Sequence, residues 1–466
     1  MTRSRDARGE GRRRHSGPVW RTTPTGMAGV AAGVILLALG LLAGRADIAS
    51  FGVPLVVGAL WTGRPGAWTA ARPATPTDAT LESSAEPAVA GELAATLHLD
   101  PPPAAELVHV RVRAPGHRQA EVVVPADRRR LDLRLHAVRT GPQATFTADL
   151  RGYGPGGSTA EDPLSFAASD RLVLPGSMRL ARVPLPNRLR GLTGPHSSRR
   201  LGDGSELRDV HPFTSGEPVR RIDWRTTARR APDLDTLYVR RTYADAEAAA
   251  VLVLDSRDDV GPDLRTWRGS GDRRVDEATS LDLARHAAAS VATALIGAGD
   301  RVGLDDLGRR RRPLPPAGGR RHLRRLLYAL ALSHPVGTPP RRLRPPQLPG
   351  DAIVYLLTTA LDDESLTLVR HWRDSGHPVV VIDTLPDIHR VHSDHLRIAW
   401  RITRMEREDR LRHMRAQGVP VIHWSDSQRD RAPARLEAHV RASERHRAPS
   451  PGSRGPVRAS RPAARR

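Results

Sequence analysis

The apolar positions of this chain fall into long unbroken blocks near the start and into short periodic segments further on. Met27–Gly44 runs without a charge, is dominated by Ala, Val, Leu, Ile and Gly, and is long enough for a helix that crosses a bilayer. A second apolar run, Ile48–Gly63, follows Arg45 and Asp47. Pro54 would kink it, and Trp20, Trp61 and Trp68 suit the interfacial belts of a membrane segment. The pattern predicts a transmembrane hairpin over 26–63, between a disordered basic tail at 1–25 and a linker at 64–90 rich in Pro, Ala and Thr.

Beyond the linker the period shortens to two. Glu92–His98, Leu107–Arg113, Ala120–Val124, Leu131–Ala137, Ala144–Leu150 and Leu172–Leu174 alternate apolar and polar residues between turn signals, which predicts a small β-sandwich over 91–185. From Glu247 the pattern changes again. Glu247–Asp255 is a continuous apolar run ending in an acid, as in a buried parallel strand, and Leu281, Ala284, Ala288, Val291 and Leu295 then follow a helical period. Strands at Arg301–Leu304, Ala352–Thr358, Val379–Asp383 and Val419–Trp424 alternate with helices near Arg320–Leu332, Glu364–Ser375, Arg404–Gln417 and Asp430–Arg445. Such alternation predicts an α/β domain over 246–444 built on a doubly wound parallel sheet. A disordered Arg-rich tail is expected over 445–466.

Between the two folded regions, 186–245 holds the least ordinary stretch. Gly191, Gly194, Gly202, Gly204 and Gly216 alternate with fixed polar groups, and Arg220, Arg221, Asp223, Trp224, Arg225 and Arg229 crowd guanidinium groups around one indole and one carboxylate. Gly194, His196, Ser198, Gly202, Gly204, Glu206, Gly216, Arg220, Ile222, Asp223, Trp224, Ala228 and Arg229 fall in the order G-x-H-x-S, G-x-G-x-E, then R-x-I-D-W-x-x-x-A-R. In this the chain resembles the bacterial membrane proteins of domain-of-unknown-function family 58, whose signature precedes a von Willebrand factor A-like domain. Glu217 stands where the family usually has Asp, and Phe213-Thr214-Ser215 replaces an aromatic-x-Pro run. The resemblance implies a von Willebrand A-like sheet and a protein partner, a MoxR-type AAA+ ATPase.

Composition narrows the chemistry. The formal charge is +22, yet the chain has no Lys, and Arg used alone points to coding bias more than to selection for phosphate contacts. The two tails carry much of the excess, since residues 1–21 hold seven Arg against Asp6 and Glu10 while 445–466 hold seven Arg and no acid. Aromatic residues make up only 4%, too few to interleave as stacking platforms for single-stranded nucleic acid, so anionic membrane lipid is the expected partner of the tails. The absence of Cys excludes disulfides, thiolate metal sites and cysteine nucleophiles. The Arg-rich N-terminus should remain cytoplasmic, and two crossings return the soluble body to the same side.

Asp255 is the natural place to seek a ligand, because sheets of this kind bind at the carboxyl ends of their strands. The resembled domain would hold Mg²⁺ there through a D-x-S-x-S loop and two further loops. This chain offers Asp255-Ser256-Arg257-Asp258-Asp259 and Thr358-Thr359 instead, so a guanidinium stands where a Ser ligand should be, and Arg257 could supply in trans the charge of a metal. Asp387, His389, His392, Asp394 and His395 have metal-ligand chemistry but loop spacing, and His196 with Ser197, Ser198 and Asp203 lacks the elbow of a hydrolase. No cofactor or metal is therefore expected. The expected function is that of a non-enzymatic membrane-anchored adaptor, with an enzyme of cell-envelope precursors as the alternative. Trp224 is expected to be buried with Ile222, Asp223 to pair with a neighbouring Arg, and an edge strand to run over Asp235–Arg241.

Overall fold

Alternating and continuous apolar runs become strands, and amphipathic runs become helices, in a mixed α/β structure. The computed structural model describes residues 20–62, 77–83, 92–103, 105–114, 117–166, 171–186, 188–189, 194–233, 235–268, 274, 276–309, 312–336, 346–425 and 427–447. Residues 1–19 and 448–466 of the expected tails, most of the 64–90 linker and the side chains of Trp61 and Trp68 lie outside them; the rest of the expected tails is not disordered, since Arg21–Thr22 is a strand, Pro24 opens a helix and 445–447 end one. The chain divides into two units, Met1–Pro175 with Arg273–Glu277, and Gly176–Asp272 with Ala278–Arg466.

In the first unit, Arg21–Thr22 forms strand β1, and helix α1 begins at Pro24, earlier than the apolar run predicts, because Thr23 caps it by accepting from the Gly26 amide at 3.1 Å. Helix α1 (Pro24–Leu42) is long and apolar enough to cross a membrane; α2 (Ala46–Thr62), which contains Pro54, has a shorter apolar stretch. The helices approach closely through glycine: a Cβ on Gly40 would run into Ala49, and one on Gly52 into Gly33 and Leu37.

The β-rich part of this unit also takes in residues assigned to the linker, since Asp78–Ser83 is strand β2. It pairs with β3 (Glu92–Asp100), and β4 (Leu107–Arg113) and β5 (Ala120–Pro125) pair with each other, while β6 (Arg130–His136) returns to β3. Strand β7 (Gly141–Gln143) is followed by β8 (Thr147–Tyr153), β9 (Thr159–Ala160), β10 (Leu164–Phe166) and β11 (Arg171–Val173). One antiparallel sheet runs β1-β9-β8-β4-β5 with β10 on β8, and another runs β2-β3-β6. Leu97 and Leu99 from the second sheet and Val108, Val110 and Leu150 from the first share one buried core.

In the second unit, strands β12 (His196–Pro212) and β13 (Tyr238–Ala246) form an antiparallel hairpin whose connection holds the short helix α3 (Trp224–Arg230). The sheet that follows comprises β14 (Ala249–Leu254), β15 (Arg301–Asp306), β16 (Leu314–Ala317), β17 (Ile353–Thr358), β18 (Val379–Asp383) and β19 (Val421–His423), in the order β16-β15-β14-β17-β18-β19. Only β16 is antiparallel to its neighbour. Helices α4 (Ser280–Gly297), α5 (Arg320–Leu332), α6 (Glu364–Asp374), α7 (Asp394–Ala416) and α8 (Ala432–Arg447) complete it. Alternate residues of β14 enter different cores. Ala250, Leu252 and Leu254 join α4, α5 and Leu436 of α8, whereas Val251 and Val253 join Trp372 of α6 and Leu411 and Met414 of α7. Helices thus cover both faces, which is why β14 reads as a continuous apolar run.

Helix α7 begins at Asp394, ten residues before the periodic stretch that predicts it. Its first half turns Leu396, Trp400 and Thr403 inward, and Arg407, Leu411 and Met414 continue that face, but Ile398 and Ile402 on the other side obscure the period.

Candidate functional site

The hairpin is a long strand pair, not the Gly-rich surface loop that its glycines suggest. Gly202 and Leu207 both align with Thr242, so Asp203, Gly204, Ser205 and Glu206 are looped out between them. Glycine is needed at 202 and 204, where a Cβ would run into the Ala244 side chain and the Tyr243 carbonyl oxygen respectively. The bulge presents Asp203 to the turn at Val219–Arg221. Arg220 Nη2 donates to Asp203 Oδ2 at 3.2 Å, Arg221 Nε donates to Oδ1 at 3.1 Å, and Arg221 Nη2 reaches the Gly202 carbonyl at 3.2 Å. The Arg221 bond holds the Asp203 carboxyl below the usual range.

Glu217 ties the other end of the connection. It accepts from Arg241 Nη2 at 2.8 Å, contacts His211 Nε2 at 2.9 Å and accepts from the Thr214 amide at 3.2 Å. Arg241 is the main reason its carboxyl is held down at about 2. Gly216, at φ 99°, makes the turn that brings Glu217 back.

Three expectations fail within this frame. Asp223 does not spend its carboxylate on an arginine; Oδ1 accepts from the Thr226 amide at 3.0 Å and caps α3, while its own amide donates to Tyr238 O at 2.8 Å. Capping points the indole of the next residue outward. Trp224 is 61% exposed, whereas Ile222 is buried and bridges Val239. The ordered strand is Tyr238–Ala246 rather than Asp235–Arg241, since its pairing follows β12 to the base of the hairpin. There His196 Nε2 lies 2.9 Å from Oδ1 of the buried Asp300, which also accepts from the Ala248 amide at 2.9 Å. Ser198 Oγ instead accepts from the Arg200 amide at 3.3 Å, so the described contacts do not join His196 and Ser198 into a nucleophile pair.

At the carboxyl end of β14, Asp255 does not meet a partner's cation. Arg257 of the same chain folds back onto it, with Nε 2.8 Å from Oδ1 and Nη2 2.9 Å from Oδ2, while Thr358 Oγ1 donates to Oδ2 at 2.8 Å. The far side of the guanidinium meets Asp362 and Glu364, each at 2.6 Å from Nη1. Burial works against the charge of Arg257, but its bonds to Asp255 and the charges of Asp362 and Glu364 outweigh it and raise its pKa. Arg257 and Asp255 are enclosed, at 9% and 8% exposed, while Asp362 reaches the surface. Burial, reinforced by Asp255, raises the pKa of the adjacent Asp258. One guanidinium thus faces three carboxylates, so Arg257 offsets only part of their charge.

Residues 209–345 match the family described as protein of unknown function DUF58. Uncharacterized proteins of Mycobacterium bovis and of two Mycobacterium tuberculosis strains are each 30% identical over 160 residues, which is 34% of this chain and 46% of each relative. The chain thus spans about half the length of the curated relatives it matches. No solved structure matches it. The DUF58 match takes in Gly216, Arg220, Arg221, Ile222, Asp223, Trp224, Arg229 and Asp255; Gly194, His196, Ser198, Gly202, Gly204 and Glu206 precede it.

The structure gathers Arg220 and Arg221 of the matched segment onto Asp203, which precedes it, and it leaves Arg229 and Glu206 exposed. Asp255 belongs to the separate Arg257 knot. Asp362 and Glu364 were missed, because acids at the start of a helix read as dipole partners rather than as a cradle for Arg257. The groups of the His389 segment are used singly: the His389 amide donates to Pro262 O, Asp387 accepts from the Ser427 amide, and His395 contacts Ser393 Oγ at 2.8 Å in the first turn of α7. Among the described residues no group of three or more His, Asp or Glu could hold a metal ion.

Proposed function

We propose that this chain is a membrane-anchored, non-enzymatic binding protein whose α/β body is von Willebrand A-like and whose hairpin surface captures a MoxR-type AAA+ ATPase, in a chaperone-like or envelope-assembly role. The observation that carries the reading is the exposed Trp224 on a framework held by the Asp223 cap, by the half-buried Arg221 on the Gly202 carbonyl and Asp203, and by Glu217 with Arg241. Trp and Arg are the residues that most often dominate binding energy, and a rigid frame lowers the entropy cost of using them. Val219, in the turn that precedes Trp224, is likewise 66% exposed. Arg257 supports the same reading, since it supplies internally the positive charge that a metal-dependent von Willebrand A site takes from solution.

The close glycine packing of α1 and α2 supports a two-span anchor with a cytoplasmic body over a leader removed by cleavage. The test is a photoreactive residue at Val219 in the full chain, crosslinked in native membranes. The proposal expects the ATPase as the crosslinked protein. Recovery of lipid alone, or of no adduct, would remove its support.

A further inference from the structure

Helix α7 has two unlike faces. Trp400 packs edge-on against Trp267 at 5.6 Å, and Arg407 Nε donates to the Thr359 carbonyl at 2.8 Å and pairs with the buried Asp383, so the helix is fixed to the sheet along one side. On the other side Ile398, Ile402 and Met405 stand 59%, 55% and 56% exposed, at the i, i+4, i+7 spacing that makes one stripe. Arg397, Arg401 and Arg404 run beside that stripe. Arg397 and Arg404 pair with exposed acids, Asp394 at 2.8 Å and Glu408 at 3.4 Å, and such surface pairs exchange partners at little cost. Glu406, Glu408 and Asp409 close the stripe at its far end.

We propose that the first half of α7 is a contact surface for an anionic phospholipid bilayer, with Ile398, Ile402 and Met405 entering the headgroup boundary and Arg397, Arg401 and Arg404 reaching lipid phosphates. This inference rests on the membrane-anchored reading. The chemistry is that of an interfacial helix, in which arginine stems lie along the apolar layer and keep their charges at the phosphates. Size favours lipid over a soluble partner. Three side chains along about 10 Å of helix fall far short of the roughly 800 Å² that each partner buries in a standard protein interface. A tethered chain needs much less, because the anchor makes the membrane contact intramolecular.

The absence of Cys makes the test direct. A nitroxide is attached at Ile402→Cys, and separately at Arg412→Cys nearer the C-terminal end of α7, in the full chain reconstituted into nanodiscs of phosphatidylcholine with or without phosphatidylglycerol. In anionic discs the label at 402 should lose collisions with a water-soluble nickel complex and gain them with oxygen, while the label at 412 stays in water. The double substitution R397E/R401E, or removal of phosphatidylglycerol, should abolish the difference. A 402 label equally open to nickel in both discs overturns the inference, as does one already shielded in detergent, which would mean a protein contact. Flotation of the same chain with anionic vesicles separates the two readings. A chain that floats with 402 in water contradicts only the role of α7, and one that does not float contradicts both.

Discussion

At Arg257 a single guanidinium serves the enclosed Asp255, the half-buried Glu364 and the more exposed Asp362. Removing the guanidinium leaves the enclosed Asp255 without its cation, so Arg257→Ala should lower unfolding stability by roughly 3–5 kcal/mol, read by urea denaturation of the purified body. With the cradle already filled, calorimetry on the unmodified protein should show no saturable Mg²⁺ binding in the micromolar range; such binding would mean that Arg257 yields its place. Glu217 gives a pH signature of definite sign. Its folded pKa of about 2 lies below the ordinary glutamate value of about 4.3, so its contribution is complete above the ordinary value and is lost as pH falls toward 2. The difference in melting temperature between the native protein and Glu217→Gln should therefore be constant above about pH 5 and shrink between about pH 4 and 2.

Among the elements, the glycine bulge of β12 is the most demanding. Gly204→Val would drive a side chain into the Tyr243 carbonyl and should cost about 1–3 kcal/mol in denaturant unfolding, without touching Trp224. The glycines at 202 and 204 were visible in the sequence, but their spacing among polar residues resembles a loop, and only cross-strand pairing shows that the chain is extended around them. The strands of the α/β sheet were easier to read, because β14, β17 and β18 are buried on both faces and their apolar runs have one explanation. Helix α7 was half legible, since in its first half the exposed Ile398 and Ile402 add apolar positions outside the buried face and blur the period. The local roles of Asp223 and Trp224 were misread for a related reason. An Asp three residues before an available amide is a cap as readily as an ion-pair partner, and a Trp beside a buried Ile need not share its burial.

For the whole molecule, the anchor and the binding surface make separate claims. Reporter fusions after Arg72 should report the cytoplasm if both α1 and α2 cross the membrane; an extracytoplasmic signal would leave α1 as a single span or leader. The binding claim depends on an exposed indole held by a capped helix. Asp223→Ala removes the cap and should cost about 1 kcal/mol of stability, whereas Trp224→Ala should leave the melting temperature nearly unchanged. The most direct measurement is the affinity of a purified MoxR-type ATPase for the full chain and for its Trp224→Ala variant, with the melting temperatures of both recorded. The account predicts binding at least about tenfold weaker in the variant at an unchanged melting temperature, as loss of an aromatic hot spot gives. Equal affinity, or a variant that melts well below the native protein, would contradict it.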